Sequence, residues 1–413
     1  MTVQLEITAL GAQGDGVARG ERGPVYVPFT LPGEIVNAAV ERDRGTLMAV
    51  LSPSAQRVKP PCRHFGDCGG CSLQHLEASA YRSWKRERVV EALAGRGIQV
   101  RVEDLIPCPP ASRRRVSLAA RVESGTVTLG YNAALSHRIV DIVECPIAAP
   151  EIVTALPMLR RLARLASPSQ KPFRIHVTAT ASGLDVVLMD CGRPGEAVRR
   201  HLAAFAITEK LARLSIDGEL VVEPHKPIIM VGDAVVAPPA GGFLQAVASA
   251  EAAMGALVAD HLSRAKKTAD LFAGVGTFAL RLAKTGDVHA VEGDAAALAA
   301  LDKGFRGAAG LRRVTVERRD LFVRPLTWKE LSVFDGLVFD PPRAGAEEQA
   351  IQIARSTVQR VAAVSCNPVT LARDLRILID GGYVLKSVTP VDQFLWSPHV
   401  EAVALMEKPR KRR

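Results

Sequence analysis

Two cysteine arrangements in this 413-residue chain could do chemistry. Cys366 stands alone in Ser365-Cys366-Asn367-Pro368, directly after the apolar run 361–364. A thiolate held at the carboxyl end of a buried strand is a nucleophile. Near the C-terminus, Ser397-Pro398-His399-Val400-Glu401 offers a proton acceptor to work with it. Glu401 would serve as a base if burial among apolar neighbours raised its pKa, and His399 is the rival for that role.

The second arrangement is Cys62, Cys68 and Cys71 in a stretch that also holds Gly66, Gly69 and Gly70. Three thiolates so close together need a cation, either zinc or an iron–sulfur cluster, and both accept four cysteines. The fourth would come from Cys108, Cys145, Cys191 or Cys366. Cys108 and Cys145 both precede proline, as cluster ligands often do. Spacing leaves open the choice between these two and between iron and zinc. The C-x3-C-x2-C spacing of radical chemistry is absent.

A third motif points to a nucleoside. Asp270-Leu-Phe272-Ala-Gly274-Val-Gly276-Thr-Phe278 follows a predicted strand at 268–272 and opens a helix, and Glu292 ends the next strand. The glycines let the backbone turn tightly beside a ligand, and an acid about 20 residues on can accept both ribose hydroxyls. Ala279 stands where a dinucleotide fingerprint has its third glycine, which tilts the reading from NAD toward S-adenosylmethionine. Asp340-Pro-Pro-Arg343 ends a later strand and should reach the same crevice. A methyl donor beside a thiolate and a base suits the C5 carbon of a pyrimidine. Sulfur addition at C6 makes C5 an enolate carbon; after alkylation a base removes the C5 proton and the sulfur leaves.

These residues need elements to position them. Residues 1–55 read as short strands between turn signals, the pattern of a small β-barrel, and Pro53, Pro60 and Pro61 mark its end. Residues 56–238 read as a mixed α+β middle domain, with a helix at 78–94. From 239 to 413 strands alternate with helices, beginning with a helix at 245–262, which implies a doubly wound parallel sheet and an α/β fold. The chain carries a formal net charge of +10, favouring a polyanionic partner. That charge is uneven. Residues 1–55 hold four arginines against six acids, a net of −2, while 56–125 hold thirteen basic residues against seven acids, a net of +6. Arg113, Arg114 and Arg115, the helix at 78–94 and the tail from Lys408 are therefore the candidates for phosphate contact. No apolar run is long enough for a membrane span and no secretory signal is visible, so a cytoplasmic protein is expected.

Taken together, the motifs resemble those of the RNA 5-methyluridine methyltransferases over nearly the whole chain. The resemblance implies a TRAM domain, an OB-like barrel, at 1–55 and a Rossmann-like methyltransferase domain at the C-terminus. It implies that Cys62, Cys68, Cys71 and Cys145 (in Glu-Cys-Pro) hold a [4Fe–4S] cluster. Phe243-Leu-Gln245 resembles the family's F-x-Q motif, which carries Gln245 into the cofactor pocket. By the same likeness, Phe272, Gly274 and Gly276 lie near the methionine of S-adenosylmethionine, Glu292 on the ribose and Asp320 near the adenine. Asp340 matches the family's Asp-Pro-Pro-Arg, Cys366 its nucleophile and Glu401 its base. The chain departs from the pattern at Val247 and Thr277, where relatives often have Asn.

A TRAM domain together with cluster cysteines resembles the branch acting on large-subunit ribosomal RNA more than the transfer-RNA branch. The expected protein is a monomer that flips a uridine out of its stack to reach Cys366. Two rivals follow from the same residues. One is an exocyclic-amine methyltransferase, suggested by Asp340-Pro-Pro, although Arg343 stands where an aromatic would stack the base. The other is a cluster-bearing RNA-binding protein without catalysis.

Overall fold

The computed structural model describes residues 2–167 and 171–409. It opens with a closed barrel of strands Thr2–Leu10, Gly16–Gly20, Gly23–Val27, Ile35–Glu41 and Arg44–Ser52. Alternating side chains, among them Leu5, Ile7, Val25, Val27 and Val36, point inward and fill it. Gly16 is needed here because a Cβ would stand 2.0 Å from the Thr30 hydroxyl.

A 7-stranded sheet follows, in the order Glu219–Val222, Arg213–Ile216, Gly183–Met189, Phe173–Thr180, Arg115–Glu123, Thr126–Asn132 and Ile139–Asp141. Its neighbours run antiparallel except for Gly183–Met189 beside Arg213–Ile216. The helices Leu156–Ala166 and Glu196–Thr208 bury Leu159, Leu162 and Leu202 in its core.

The last sheet also has seven strands, ordered Val314–Arg318, Asp287–Glu292, Lys267–Leu271, Gly336–Phe339, Arg360–Ser365, Glu401–Glu407 and Val384–Val391. The first five strands pair in parallel, and Glu401–Glu407 runs antiparallel to both its neighbours. Alternate strand residues serve two cores, as a doubly wound sheet requires. Leu271, Phe339, Val361 and Ala363 face one layer of helices; Ala290, Val338, Ala362 and Val364 face the other.

Two elements differ from expectation. The helix expected from Gln245 begins at Ala248, because Val247 is extended (φ −127°, ψ 123°) and Gln245 is drawn toward Asp340. The helix after the glycine turn is a single turn, Ala279–Leu282. The helix Ala78–Ala94 buries Tyr81, Lys85, Val89 and Leu93, a stripe at four-residue spacing. Val89 and Leu93 pack into the core of the last sheet, so this helix crosses from the cysteine loop to the C-terminal layer.

Candidate active site

Parallel strands deliver their following residues to one rim. Phe272 and Gly274 follow the strand Lys267–Leu271, Glu292 closes Asp287–Glu292, Asp340 follows Gly336–Phe339 and Cys366 follows Arg360–Ser365. A cavity of about 570 Å³ opens there, lined by Gln245, Phe272, Gly274, Glu292, Asp320, Asp340, Cys366 and Glu401. Gly276 does not line it. At φ +100° a Cβ on Gly276 would stand 3.0 Å from Leu280 and Leu301, so this glycine serves the packing of the turn. Gly274, at φ +54°, meets nothing within 4 Å and leaves its space to the cavity. Phe272 also sits in the left-handed region (φ 61°), at a cost of about 1–2 kcal/mol, and its ring lies 5.4 Å from that of Phe322.

The acids divide by environment. Asp270 is fully buried behind the turn; one carboxyl oxygen accepts the Ala279 N–H at 2.7 Å and the other has no partner. Burial pushes its pKa well above the ordinary carboxylate value, opposed by the Ala279 hydrogen bond. Glu292 accepts the N–H groups of Gly274 (2.9 Å) and Asp294 (2.8 Å), which fixes its plane and leaves lone pairs for a diol. Asp320 accepts the Phe322 N–H at 2.9 Å.

The other end of the cavity holds Glu401, Asp340 and Cys366. Glu401 is 4% exposed. Its Oε1 accepts the Gln393 side-chain N–H at 3.0 Å, and Oε2 is buried without a partner. Burial raises its pKa to about 8, helped by the Asp340 charge and opposed by the Gln393 hydrogen bond. Asp340 accepts the Gln245 amide at 2.9 Å and is pushed to about 7 by burial. Cys366 is half-buried; burial, then the Glu401 and Asp340 charges, push its thiol to about 11. In the free protein the sulfur is therefore held as a thiol, with Arg343 favouring the thiolate. His399 does not line the cavity. Its ring packs edge-on to Phe394 at 5.9 Å, and burial lowers its pKa.

Sequence reasoning missed three supports of this end. Gln393 links Gln245 to Glu401, and a polar pair after the strand Val384–Val391 was its signal. Lys85 and Tyr81 reach across to Asp392: Lys85 forms a buried ion pair with it, and Tyr81 donates to it at 3.1 Å. Tyr81 also accepts the Trp396 N–H at 2.8 Å, while Ser72 and Leu73 donate to the Trp396 carbonyl at 2.8 and 3.1 Å. The segment leading to Glu401 is thus gripped by the helix Ala78–Ala94 and by the residues just after Cys71.

Several expected phosphate contacts are spent inside the protein. Lys85 is fully buried, and Arg86 donates to the carbonyls of Val102 and Glu103. Arg114 pairs with Glu251 at 2.6 Å and donates to the Gln245 carbonyl. The other two arginines of the triplet meet aromatic rings and also donate to main-chain carbonyls: Arg115 lies over Phe243 (5.8 Å) and donates to Gly241 at 3.3 Å, and Arg113 lies over Phe394 (5.9 Å) and donates to Arg115 at 3.0 Å. Phe243 is 65% exposed and lines the cavity. Of the basic tail, residues 410–413 lie outside the described residues, and Lys408 donates to the carbonyls of Ala354 and Ser356.

A separate small pocket is lined by Cys62, Cys68, Cys71 and Cys145, together with His64, Gln74 and Tyr131. Cys108 instead packs in the core beside Val247, Cys191 packs in the core of the middle sheet, and Cys366 is at the rim. Burial raises the pKa of Cys62 and Cys68, and that of Cys71 to about 12. The Gly70 N–H points at the Cys68 sulfur at 3.4 Å, and His64 Nε2 is occupied by the Val143 N–H at 3.1 Å. A Cβ on Gly69 would stand 2.7 Å from the Asn132 carbonyl, so the loop lies flush against the middle sheet. Among the described residues, no three His, Cys, Asp or Glu side chains are grouped as ligands of a single metal ion. Four cysteine thiols line one pocket, the donor number that both zinc and a [4Fe–4S] cluster accept.

Comparison with known proteins adds the following. The family described as tRNA (Uracil-5-)-methyltransferase matches residues 320–409, and the TRAM domain matches residues 1–47. An uncharacterized RNA methyltransferase of Mesorhizobium japonicum is 62% identical over 100% of both chains. The 23S rRNA (uracil(1939)-C(5))-methyltransferase RlmD of Halomonas elongata is 34% identical, over 98% of this chain and 89% of that one. The crystal structure of Pyrococcus abyssi tRNA (uracil-54, C5)-methyltransferase in complex with S-adenosyl-L-homocysteine shares the fold. Its TM-score is 0.76 at 23% identity, over 98% of this chain and 99% of that one. With the TRAM barrel in front and the glycine turn, the acids and the lone cysteine on one rim behind it, the chain belongs to the S-adenosylmethionine-dependent RNA uracil-C5 methyltransferases.

Proposed function

We propose that this protein methylates C5 of a uridine in large-subunit ribosomal RNA through a covalent Cys366–C6 adduct. One observation carries the reading: Cys366 and Glu401 share a single cavity with the glycine turn and Glu292. S-adenosylmethionine supplies an electrophilic methyl group in that cavity. Gly274 leaves room for it, Glu292 binds the ribose hydroxyls, Phe272 and Phe322 flank it, and Asp320 contacts the adenine.

Cys366 loses its proton to solvent and the thiolate sulfur forms a bond to C6; the C5–C6 π pair moves toward C5 and O4, giving an enolate. Carbon C5 then takes the methyl group, and the sulfonium becomes a thioether. Glu401 removes the C5 proton, that electron pair restores the double bond, and the C6–sulfur bond breaks to release Cys366. A carboxylate with a raised pKa is suited to this step. Gln245 and Asp340 hold the polar wall around the base. Arg113 and Arg115, stacked over Phe394 and Phe243, suit contact with RNA beside the cavity-lining Phe243.

Cys62, Cys68, Cys71 and Cys145 would hold a [4Fe–4S] cluster. When bound, it would offset part of the charge of four thiolates and tie the cysteine loop to the middle sheet. The ribosomal target is supported by the likeness to the Halomonas enzyme and by the TRAM barrel accompanying the cysteine pocket. The test is to map 5-methyluridine in ribosomal and transfer RNA from cells lacking this protein. Loss of one ribosomal site is expected; loss confined to transfer RNA would reassign the substrate. Exocyclic methylation predicts methylated amines, and a non-catalytic RNA binder predicts function retained after Cys366→Ala.

A further inference from the structure

Gln393 lies between the strands Val384–Val391 and Glu401–Glu407 and is 2% exposed. Its Nε2 donates to Gln245 Oε1 at 2.7 Å and to Glu401 Oε1 at 3.0 Å. Its Oε1 faces the backbone N–H of Val247 at 3.4 Å. That N–H decides the orientation of the amide, since a flipped amide would set donor against donor. Gln245 must then offer its carbonyl to Gln393 and its amide N–H to Asp340, 2.9 Å away. The result is a directional chain, Asp340–Gln245–Gln393–Glu401, running along the cavity wall.

Both N–H groups of Gln393 are committed, one of them to a single oxygen of Glu401. The other oxygen, Oε2, is buried and unpartnered on a side chain that lines the cavity. We infer that Gln393 is the positioning residue for proton removal: it occupies Oε1, fixes the carboxylate plane and leaves Oε2 to receive the C5 proton. This rests on the reading of Glu401 as the base. Val247 brings no polar side chain to this corner, so the amide of Gln393 supplies both the partner of the carboxylate and the acceptor for the main chain.

The test is Gln393→Met, which keeps side-chain length and removes both donors. Addition and methyl transfer depend on Cys366 and the donor, whereas release depends on Glu401. The variant should therefore lose about 10- to 100-fold in kcat while KM for RNA stays within about twofold. It should also accumulate an RNA–protein adduct that survives denaturing electrophoresis. Calorimetric binding of S-adenosylhomocysteine checks that the pocket is intact. If Gln393→Met does not fold, Gln393→Glu keeps the shape, replaces a donor with an acceptor and should give the same adduct. Turnover within about twofold of wild type and no adduct in the folded variant overturns the inference. Glu401→Gln separates the two claims. If it traps the adduct and Gln393→Met does not, the positioning role alone falls. If Glu401→Gln turns over normally, the base assignment falls and the inference with it.

Discussion

Cys366 and Glu401 stand one step beyond the last rung of an antiparallel ladder. Ser365 pairs with Ala402, so the next positions along the two strands are 366 and 401. The proposed nucleophile and the proposed base are thus brought opposite one another by the backbone pairing beside them. Cys366→Ala should abolish methyl transfer, by at least ~10³-fold, while S-adenosylhomocysteine still binds. Calorimetry and a methyl-transfer assay on one preparation check this; turnover near that of wild type rejects covalent catalysis.

Glu401→Gln removes the proton acceptor but keeps the volume. Denaturing gels should show a slow band of RNA attached to protein, sensitive to ribonuclease and absent from Cys366→Ala. If no band forms at any pH, the base lies elsewhere.

The pH dependence has a definite sign. Glu401 must be ionised to accept a proton, and its pKa is raised to about 8, so turnover should climb as pH passes through about 8. The raised thiol of Cys366 pushes in the same direction. Stability moves oppositely. The folded protein favours the protonated Glu401 carboxyl, so this contribution is complete below the ordinary value of 4.5 and is lost as pH rises through about 8. Glu401→Gln should melt higher than wild type at pH 9, by ~2 °C or more, with a smaller difference at pH 5. Thermal melts at the two pH values decide it.

Cys68→Ser and Cys145→Ser should each lose iron and the brown absorbance of a cluster, whereas Cys108→Ser should retain both. Metal analysis with visible spectroscopy is the measurement. A colourless wild-type protein carrying zinc would replace the cluster with a single-ion site.

The Lys85–Asp392 pair is buried on both sides, with side-chain exposures of 0% and 2%. Lys85→Met leaves Asp392 without its counter-charge and should cost about 3–5 kcal/mol in urea unfolding. A loss below ~1 kcal/mol would mean that Tyr81 alone satisfies the carboxylate.

The rim of the last sheet was legible because its logic is local. A buried strand followed by a polar or glycine-rich turn puts the next residue at a carboxyl end, and Gly274, Glu292, Asp340 and Cys366 all read that way. What stayed hidden depends on distant partners. Lys85 on a basic helix reads as solvated, and its acid is 307 positions away. Arg114 looks like its two neighbours until Glu251 is seen beside it. The antiparallel strand Glu401–Glu407 carries no periodicity that says between which two strands it inserts. Gln393 is anonymous without knowledge of what Gln245 and Glu401 reach for.

That insertion bears on how the protein is made. The strand holding Glu401 slots between two neighbours that both precede it in the chain. A polypeptide released before residue 401 would have the glycine turn and the thiol but a gap in its sheet and no Glu401 carboxylate in the cavity. Synthesis thus delivers the glycine turn and the thiol before the carboxylate that faces them.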